Sequence, residues 1–538
     1  MYCNTPQVNQ LTALLIAHNI RHIVHCPGSR NAILGHNFHE SEAFFTLHPI
    51  TDERSAAFVA LGMVLATQEP VAVCVTSGSA LLNCIPAVAE AYYRQLPLLI
   101  ISADRPQSWI GQFDGQTLPQ AGALQPYCST FNLCEPHTNE DVWHNNRCIN
   151  EAIISLTQAA GGPAHINVPI SEPMFNFTTT QLPVERKITS YHQPNQRPLP
   201  HSIIEMIAQA QLPALVIGQY EKGDIRNETE LIDNQQQMLV LSEIISDVTG
   251  NFRLNAFDTL NTETNLCPDV VVQIGGNFVH KKFKTLLRKT NCRVVRISEN
   301  NPIADTFCHL EAHVIASPQT ALAQLCQELP CKKTKVKQAQ HRLDCIWNDI
   351  KQSLNNKKAE SSHTIHHTLC TLRQQLAHHS SYTLHLANST TVRAASNVFE
   401  SGSIPIFCNR GTNGIEGSLS TAVGYALKMW GLCIAIIGDL SFFYDANALW
   451  NTQLPPNLRI LLLNNHHGGI FDQLPGLSSS PACDTFIAAG HQSFKAQGIA
   501  LSFNLGYHQA NNTSNLSTIM QQWLAKADKA QILEVEVE

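Results

Sequence analysis

Residues 432–465 read LCIAIIGDLSFFYDANALWNTQLPPNLRILLLNN. An apolar run, LCIAII, stops at Gly438–Asp439. A segment with helical spacing follows (Phe443, Ala446, Leu449, Trp450), and a second apolar run, LRILLL, stops at Asn464–Asn465. Short apolar runs around a helical segment predict two buried parallel strands joined by a crossover helix. Open α/β sheets bind ligands outside the carboxyl ends of their strands, so this unit delivers a carboxylate and an amide oxygen to one crevice. Gly438 lets backbone come close to a phosphate, and the N-terminus of the following helix favours negative charge. Oxygen donors of this kind suit Mg²⁺ and not zinc, with diphosphate oxygens and water completing the shell. Either strand-end turn alone is an ordinary loop; the pair, with strand–helix–strand between, is informative.

The same alternation extends in both directions. Strands are expected at HIVHC, VAVCV, PLLIISA and AHINV near the N-terminus, and helices at SAAFVALGMVLA (55–66) and ALLNCIPAVAEAYY (80–93). LPALVIG, QMLVLSE, DVVVQIG and CRVVRIS repeat the pattern in the middle; YTLHLAN, IPIFCN and QILEVEV do so near the C-terminus. The expected architecture is α/β, three consecutive parallel-sheet domains spanning residues 1–180, 181–350 and 351–538. QLPVERKITSYHQPNQRPLP (181–200) reads as a linker, and CKKTKVKQAQHRLD (331–344) as a solvated linker or helix.

At 538 residues the chain is too long for one core. A net charge of −7 excludes bulk attraction to nucleic acid or an anionic membrane, so any anion site must be a local cluster. No apolar run approaches the roughly 18–20 residues of a membrane span, and the N-terminus lacks a basic signal region. The 17 cysteines are scattered and form no CxxC, which predicts reduced, mostly buried thiols in a cytoplasmic protein.

The GD…NN unit resembles the signature of thiamine-diphosphate enzymes. Leu440, where most of that superfamily has Gly, points to one branch. Matching segments are CPGSRNA (26–32), TDERSAAFVALG (51–62), TSGSALLNCIPAVAEAYY (76–93), SADRP (102–106), NRGTNGIEGSLSTAVGYAL (409–427) and NNHHGGIFDQLP (464–475). Together they resemble the 2-succinyl-5-enolpyruvyl-6-hydroxy-3-cyclohexene-1-carboxylate synthases of menaquinone biosynthesis. The resemblance implies thiamine diphosphate held through Mg²⁺ (or Mn²⁺) by Asp439, Asn465 and the main-chain carbonyl of His467. It puts Leu440 and Ser441 beside the cofactor, Ile415 as the apolar wedge that bends it, and Ile470, Phe471 and Leu474 along the wall by the reacting carbons. Glu53 takes the position of the carboxylic acid that faces the aminopyrimidine. In the family this acid reaches a cofactor held by the partner subunit, which implies a homo-oligomer with a dimer as the minimum.

The family decarboxylates 2-oxoglutarate and adds the resulting carbanion to isochorismate, with the cofactor as electron sink. The protein must hold several carboxylates, for which arginine is well suited. The matching positions are Ser29, Arg30, Arg105, Gln116, Ser389, Arg393 and Arg410. Lys281 and Lys282 stand where the family has a Lys-Arg pair; only Lys281 is carried over, because Lys282 lacks the guanidinium fork. Two alternatives stay open. One is another thiamine-dependent 2-oxoacid decarboxylase or acetolactate-type synthase; the other is a non-catalytic thiamine-fold binding protein. HTIHH (363–367), His378–His379 and Gly275–Gly276 complete no metal or nucleotide motif and read as structural.

Overall fold

A computed structural model describes residues 1–158, 161–191, 198–221, 223–261, 266–299, 302–356, 363–474, 476–491, 494–511 and 513–537. The first sheet contains β1 (His22–His25), β2 (Thr46–Pro49), β3 (Val71–Val75), β4 (Leu98–Asp104), β5 (Ser129–Asn132) and β6 (Ala164–Pro169). The second contains β7 (Pro213–Ile217), β8 (Leu239–Ser242), β9 (Val270–Ile274), β10 (Arg293–Ser298) and β11 (Leu310–Ile315). The third contains β12 (Tyr382–Leu386), β13 (Ile406–Cys408), β14 (Leu432–Gly438), β15 (Leu458–Asn464), β16 (Gly506–Ala510) and β17 (Gln531–Glu536). Every strand pairing among the described residues is parallel. The orders are β2-β1-β3-β4-β6-β5, β11-β10-β9-β7-β8 and β13-β12-β14-β15-β17-β16. The first and third sheets share one topology, and in each the strand order reverses between β1 and β3 or between β12 and β14. Among the described residues no helix is long and apolar enough to cross a membrane, and no disulfide joins the cysteines.

Four strands escape the sequence reading: β2, β5, β11 and β16. Each is an edge strand. Their burial is mixed, whereas β3, β4, β7, β9 and β15 are buried at every position. Each of these four has a wet side, so its sequence carries no continuous apolar run, whereas the edge strands β8 and β13 are more fully covered and carry one. The expected helix over 80–93 is two helices, Ser79–Asn83 and Ile85–Arg94, because Pro86 has no amide to continue the ladder. After Asp439 the helix is also short. It ends at Tyr444, a 3₁₀ turn covers Ala446–Leu449, and the change of period leaves Trp450 half exposed.

The basic run forms helix Thr334–Asn356, whose Val336, Ala339, Leu343 and Trp347 pack into the core of the central sheet. Lys333 Nζ donates to the carbonyls of Ile207, Ala208 and Ala210, capping helix His201–Gln209. The described part of the expected linker lies against the first unit. Glu185 accepts from Gln10 and Asn146, and the Ile188 amide donates to Asn150. Residues 192–197 of that segment fall outside the described residues.

Helix Glu53–Thr67 of the first unit packs on helix Ser418–Ala426 of the third at backbone distance. A Cβ on Gly62 would collide with the Thr421 carbonyl, and one on Gly424 with the Val59 carbonyl. Close approach here requires glycine on both helices.

Candidate functional site

Four neighbouring strands of the third sheet end in a row of polar residues. β12 leads into Asn388–Ser389, β13 into Asn409–Arg410, β14 into Asp439 and β15 into Asn465. Gly438 pairs with Leu463, so Asp439 and Asn465 leave adjacent strands at the same edge. The two asparagines at the end of β15 divide the work. Asn464 is fully buried and donates to Glu534 and to the Phe494 carbonyl, whereas Asn465 is half-buried, its amide 3.4 Å from His467 Nδ1. The His467 carbonyl already accepts the Gly469 amide at 3.0 Å and keeps a second lone pair.

Asp439 is 2 % exposed. Its Oδ1 accepts the Leu440 amide at 2.8 Å and its Oδ2 the His491 Nε2–H at 3.0 Å. Burial raises its pKa, and the Leu440 amide and His491 oppose that shift. Ser441 is buried and Leu440 half-buried beside it. The donor types fit a small hard cation: one carboxylate, one amide oxygen, one peptide carbonyl. No cluster of three His, Cys, Asp or Glu side chains able to hold a metal occurs among the described residues. A centre with a single carboxylate ligand would not form one, so that absence does not bear on this candidate. Ile415 is 41 % exposed and Leu474 44 %. Ile470 and Phe471 are half-buried.

The loop that carries Arg410 is fixed by all three units. Glu90, 0 % exposed, accepts the amides of Gly411 (2.9 Å) and Thr412 (2.7 Å) and the Thr412 hydroxyl. Arg94 bridges Glu90, Glu221 and Asn409, and Gln219 donates to the Cys408 carbonyl. Asn388 donates to the carbonyls of Asn409 and Gly414 and accepts from Arg410 Nη1 at 3.1 Å. Ser389 adopts φ 70°, ψ −129°, a conformation costly for a non-glycine residue, and Arg393 Nη1 donates to its carbonyl at 2.6 Å. Desolvation and the nearby Arg410 lower the Arg393 pKa. Lys281 opens helix Lys281–Arg288 and shares a cleft with Arg410.

The other expected residues form a second group, on the first sheet. Arg30 is 5 % exposed, donates to the Ile170 carbonyl and pairs with Glu172 at 3.2 Å. Arg105 pairs with Asp114 at 2.9 Å and approaches the same Glu172. Ser29 and Gln116 are exposed, Gln116 with φ 55°. Glu53 is the first residue of its helix, half-buried, with Oε2 3.5 Å from the Asn83 amide. Its neighbours dock on the third unit, Asp52 to Asn447 and Arg54 to the Tyr444 carbonyl. Among the described residues no hydrogen bond or ion pair links Glu53, Arg30 or Arg105 to residues 388–393, 409–415, 438–441 or 464–474.

Sequence reasoning missed Glu90, Asn388 and His491. Glu90 and Arg94 carry the i,i+4 spacing of an ordinary surface pair. His491 lies in a stretch without a motif.

Two comparisons bear on identity. A family model described as the thiamine pyrophosphate enzyme N-terminal TPP binding domain matches residues 8–131. Curated relatives named 2-succinyl-5-enolpyruvyl-6-hydroxy-3-cyclohexene-1-carboxylate synthase match over nearly the whole chain. The protein of Phocaeicola vulgatus is 39 % identical over 549 aligned residues, covering 100 % of this chain and 96 % of its own. That of Bacteroides thetaiotaomicron is 38 % identical, covering 97 % and 93 %, and that of Flavobacterium johnsoniae 34 %, covering 99 % and 96 %. Likeness at this level, end to end and not confined to one unit, makes the chain a member of the 2-succinyl-5-enolpyruvyl-6-hydroxy-3-cyclohexene-1-carboxylate synthase family.

Proposed function

We propose that the chain is a thiamine-diphosphate-dependent synthase that decarboxylates 2-oxoglutarate and joins the succinyl fragment to isochorismate, releasing CO₂. The row at the carboxyl edge of the third sheet supports this most: Arg410, Ser389, Asp439 and Asn465 end four neighbouring strands. Asp439, Asn465 and the His467 carbonyl would hold Mg²⁺, or Mn²⁺ in its place, against the diphosphate, with Leu440 and Ser441 beside it. Thiamine diphosphate, when bound, supplies the electron sink that decarboxylation needs.

The chain's own residues bind, orient and exclude water. Glu53 supplies the carboxyl group that exchanges a proton with the aminopyrimidine. Ile415 props the cofactor, and Ile470, Phe471 and Leu474 keep the reacting carbons away from solvent. Each substrate carries two carboxylates, and the chain offers two groups of cations, Arg30 with Arg105 and Lys281 with Arg393 and Arg410. Glu172, the partner of Arg30, has a 66 % exposed side chain and can yield to a substrate carboxylate. Ser29, Gln116 and Ser389 add neutral donors.

Among the described residues no hydrogen bond or ion pair joins the two groups. We therefore propose that the active site forms between the first unit of one copy and the third unit of another, with a dimer as the minimum assembly. Its many buried cysteine thiols support a cytoplasmic location.

The experiment is turnover of 2-oxoglutarate with isochorismate, with and without thiamine diphosphate and Mg²⁺, against turnover of pyruvate. Cofactor-dependent product from the first pair is expected. Turnover of pyruvate alone identifies a different thiamine-dependent decarboxylase. Cofactor binding without CO₂ release identifies a binding protein.

A further inference from the structure

A cleft of about 220 Å³ opens where helix Lys281–Arg288 faces the Arg410 loop, and Lys281, Lys284, Thr306, Arg410 and Asn413 line it. Three of these residues are cations and none is an acid. Arg410 is 6 % exposed; its Nη1 and Nη2 donate to Asn388 and to the Phe278 carbonyl, and its Nε has no hydrogen-bond partner among the described residues. Lys284 is half-buried and pairs with no carboxylate among the described residues. Acids close in sequence to the lining are engaged elsewhere, Asp305 with the His309 and Leu310 amides. Glu243, fully buried, accepts His280 Nδ1–H and the amides of Val279 and His280, and Asp258 accepts the Phe283 amide. Positive charge gathered in a partly desolvated cleft whose lining holds no acid is costly, and a bound anion lowers that cost.

Helical spacing decides which lysine serves the cleft. Lys281 and Lys284, three residues apart, share a helix face. Lys282 is turned about 100° from Lys281 and does not line the cleft. Burial, then the cations Arg288, Arg410 and Lys281, lower the Lys284 pKa, and the buried Glu243 opposes them only in part.

We propose that Lys284 is a substrate-binding residue, which with Lys281 and Arg410 holds one carboxylate of 2-oxoglutarate or of isochorismate. The inference rests on the synthase reading above and deepens it. Lys284 thus supplies the second cation that Lys282, lacking a guanidinium fork, does not.

The test compares Lys284→Gln, Lys284→Arg and Lys282→Gln in the thiamine-diphosphate holoenzyme, varying each substrate with the other saturating. Lys284→Gln is expected to raise KM for one substrate about 10- to 100-fold, the effect of losing a charge-assisted hydrogen bond. The substrate affected identifies the source of the carboxylate. The kcat and the cofactor Kd should stay within about threefold, because Asp439 and Asn465 do not line the cleft that Lys284 lines. Lys284→Arg should recover most of the loss, and Lys282→Gln should leave both KM values within about twofold. An active wild type whose Lys284→Gln variant keeps both KM values overturns the assignment. So does a variant whose only change is lower thermal stability or weaker cofactor binding. A wild type that turns over neither substrate rejects the synthase reading itself, and this inference with it.

Discussion

His491 Nε2 donates to Asp439 Oδ2 at 3.0 Å, and both side chains are buried. The loop that delivers the histidine is tied down by its own amide, which donates to the His466 carbonyl at 2.7 Å. Such a bond fixes the rotamer of a carboxylate, so one oxygen keeps a constant direction for a cation. His491→Ala is expected to weaken Mg²⁺-dependent binding of thiamine diphosphate by roughly 10-fold or more. His491→Gln, which keeps a donor, should lose much less. Calorimetric titration of Mg²⁺ in the presence of cofactor measures both; equal affinities in wild type and His491→Ala would remove the positioning role.

Glu53→Gln tests the proton exchange. Glutamine keeps the size of the side chain and its place at the start of helix Glu53–Thr67. Cofactor Kd should stay within a few-fold while kcat falls by about 10²-fold or more, the usual range for losing an acid–base group. Unchanged turnover in this variant removes Glu53 from the chemistry.

Glu90 ties the Arg410 loop to the first unit through two amides and a hydroxyl, with Arg94 buried beside it. Glu90→Ala strands those donors and leaves Arg94 with Glu221 as its remaining acid. Removing one partner of a buried ion pair costs about 3–5 kcal/mol. A fall of several degrees in Tm is expected, together with a higher KM for a carboxylate substrate because Arg410 loses its fixed position. Thermal melts and steady-state kinetics check the two effects, and a melting temperature unchanged within about one degree contradicts them.

Much of this was legible in the sequence, and the parts that were not share a cause. Central strands such as β14 and β15 are buried on both faces and announce themselves as apolar runs. Partly wet edge strands such as β11 do not, whereas the covered edge strand β8 does. Asp439 and Asn465 were readable because a strand end fixes their place from local pattern alone. Glu90 and His491 act across 321 and 52 residues of chain, on Gly411 and Asp439 respectively, and no local pattern encodes such a partner. Lys284 was hidden by an apolar-spaced helix with several lysines, of which only packing shows which faces the cleft.

Lys428 Nζ sits between His22 Nδ1 (3.1 Å) and His48 Nε2 (3.0 Å) where the first and third units meet, with His48 Nδ1 bonded to Gln453. Burial, then the Lys428 ammonium, lowers both imidazoles to about 4. The folded value lies below the unfolded one, so the stability these histidines contribute is present above about pH 6.5. It is lost as pH falls through about 4. For His48, only 6 % exposed, the loss is on the order of 3 kcal/mol. Tm should therefore drop between pH 6.5 and 4, and His48→Gln should flatten the drop. An identical pH profile in that variant assigns the acid sensitivity elsewhere.

The central claim is that two adjacent strand ends clamp a divalent cation onto a diphosphate. Its most direct test is the Kd of thiamine diphosphate with and without Mg²⁺ in wild type and in Asp439→Asn. The account predicts tight binding only for the wild type with metal, and a loss of about 10²-fold or more on chelation or in the variant. Equal affinity in all four conditions contradicts it.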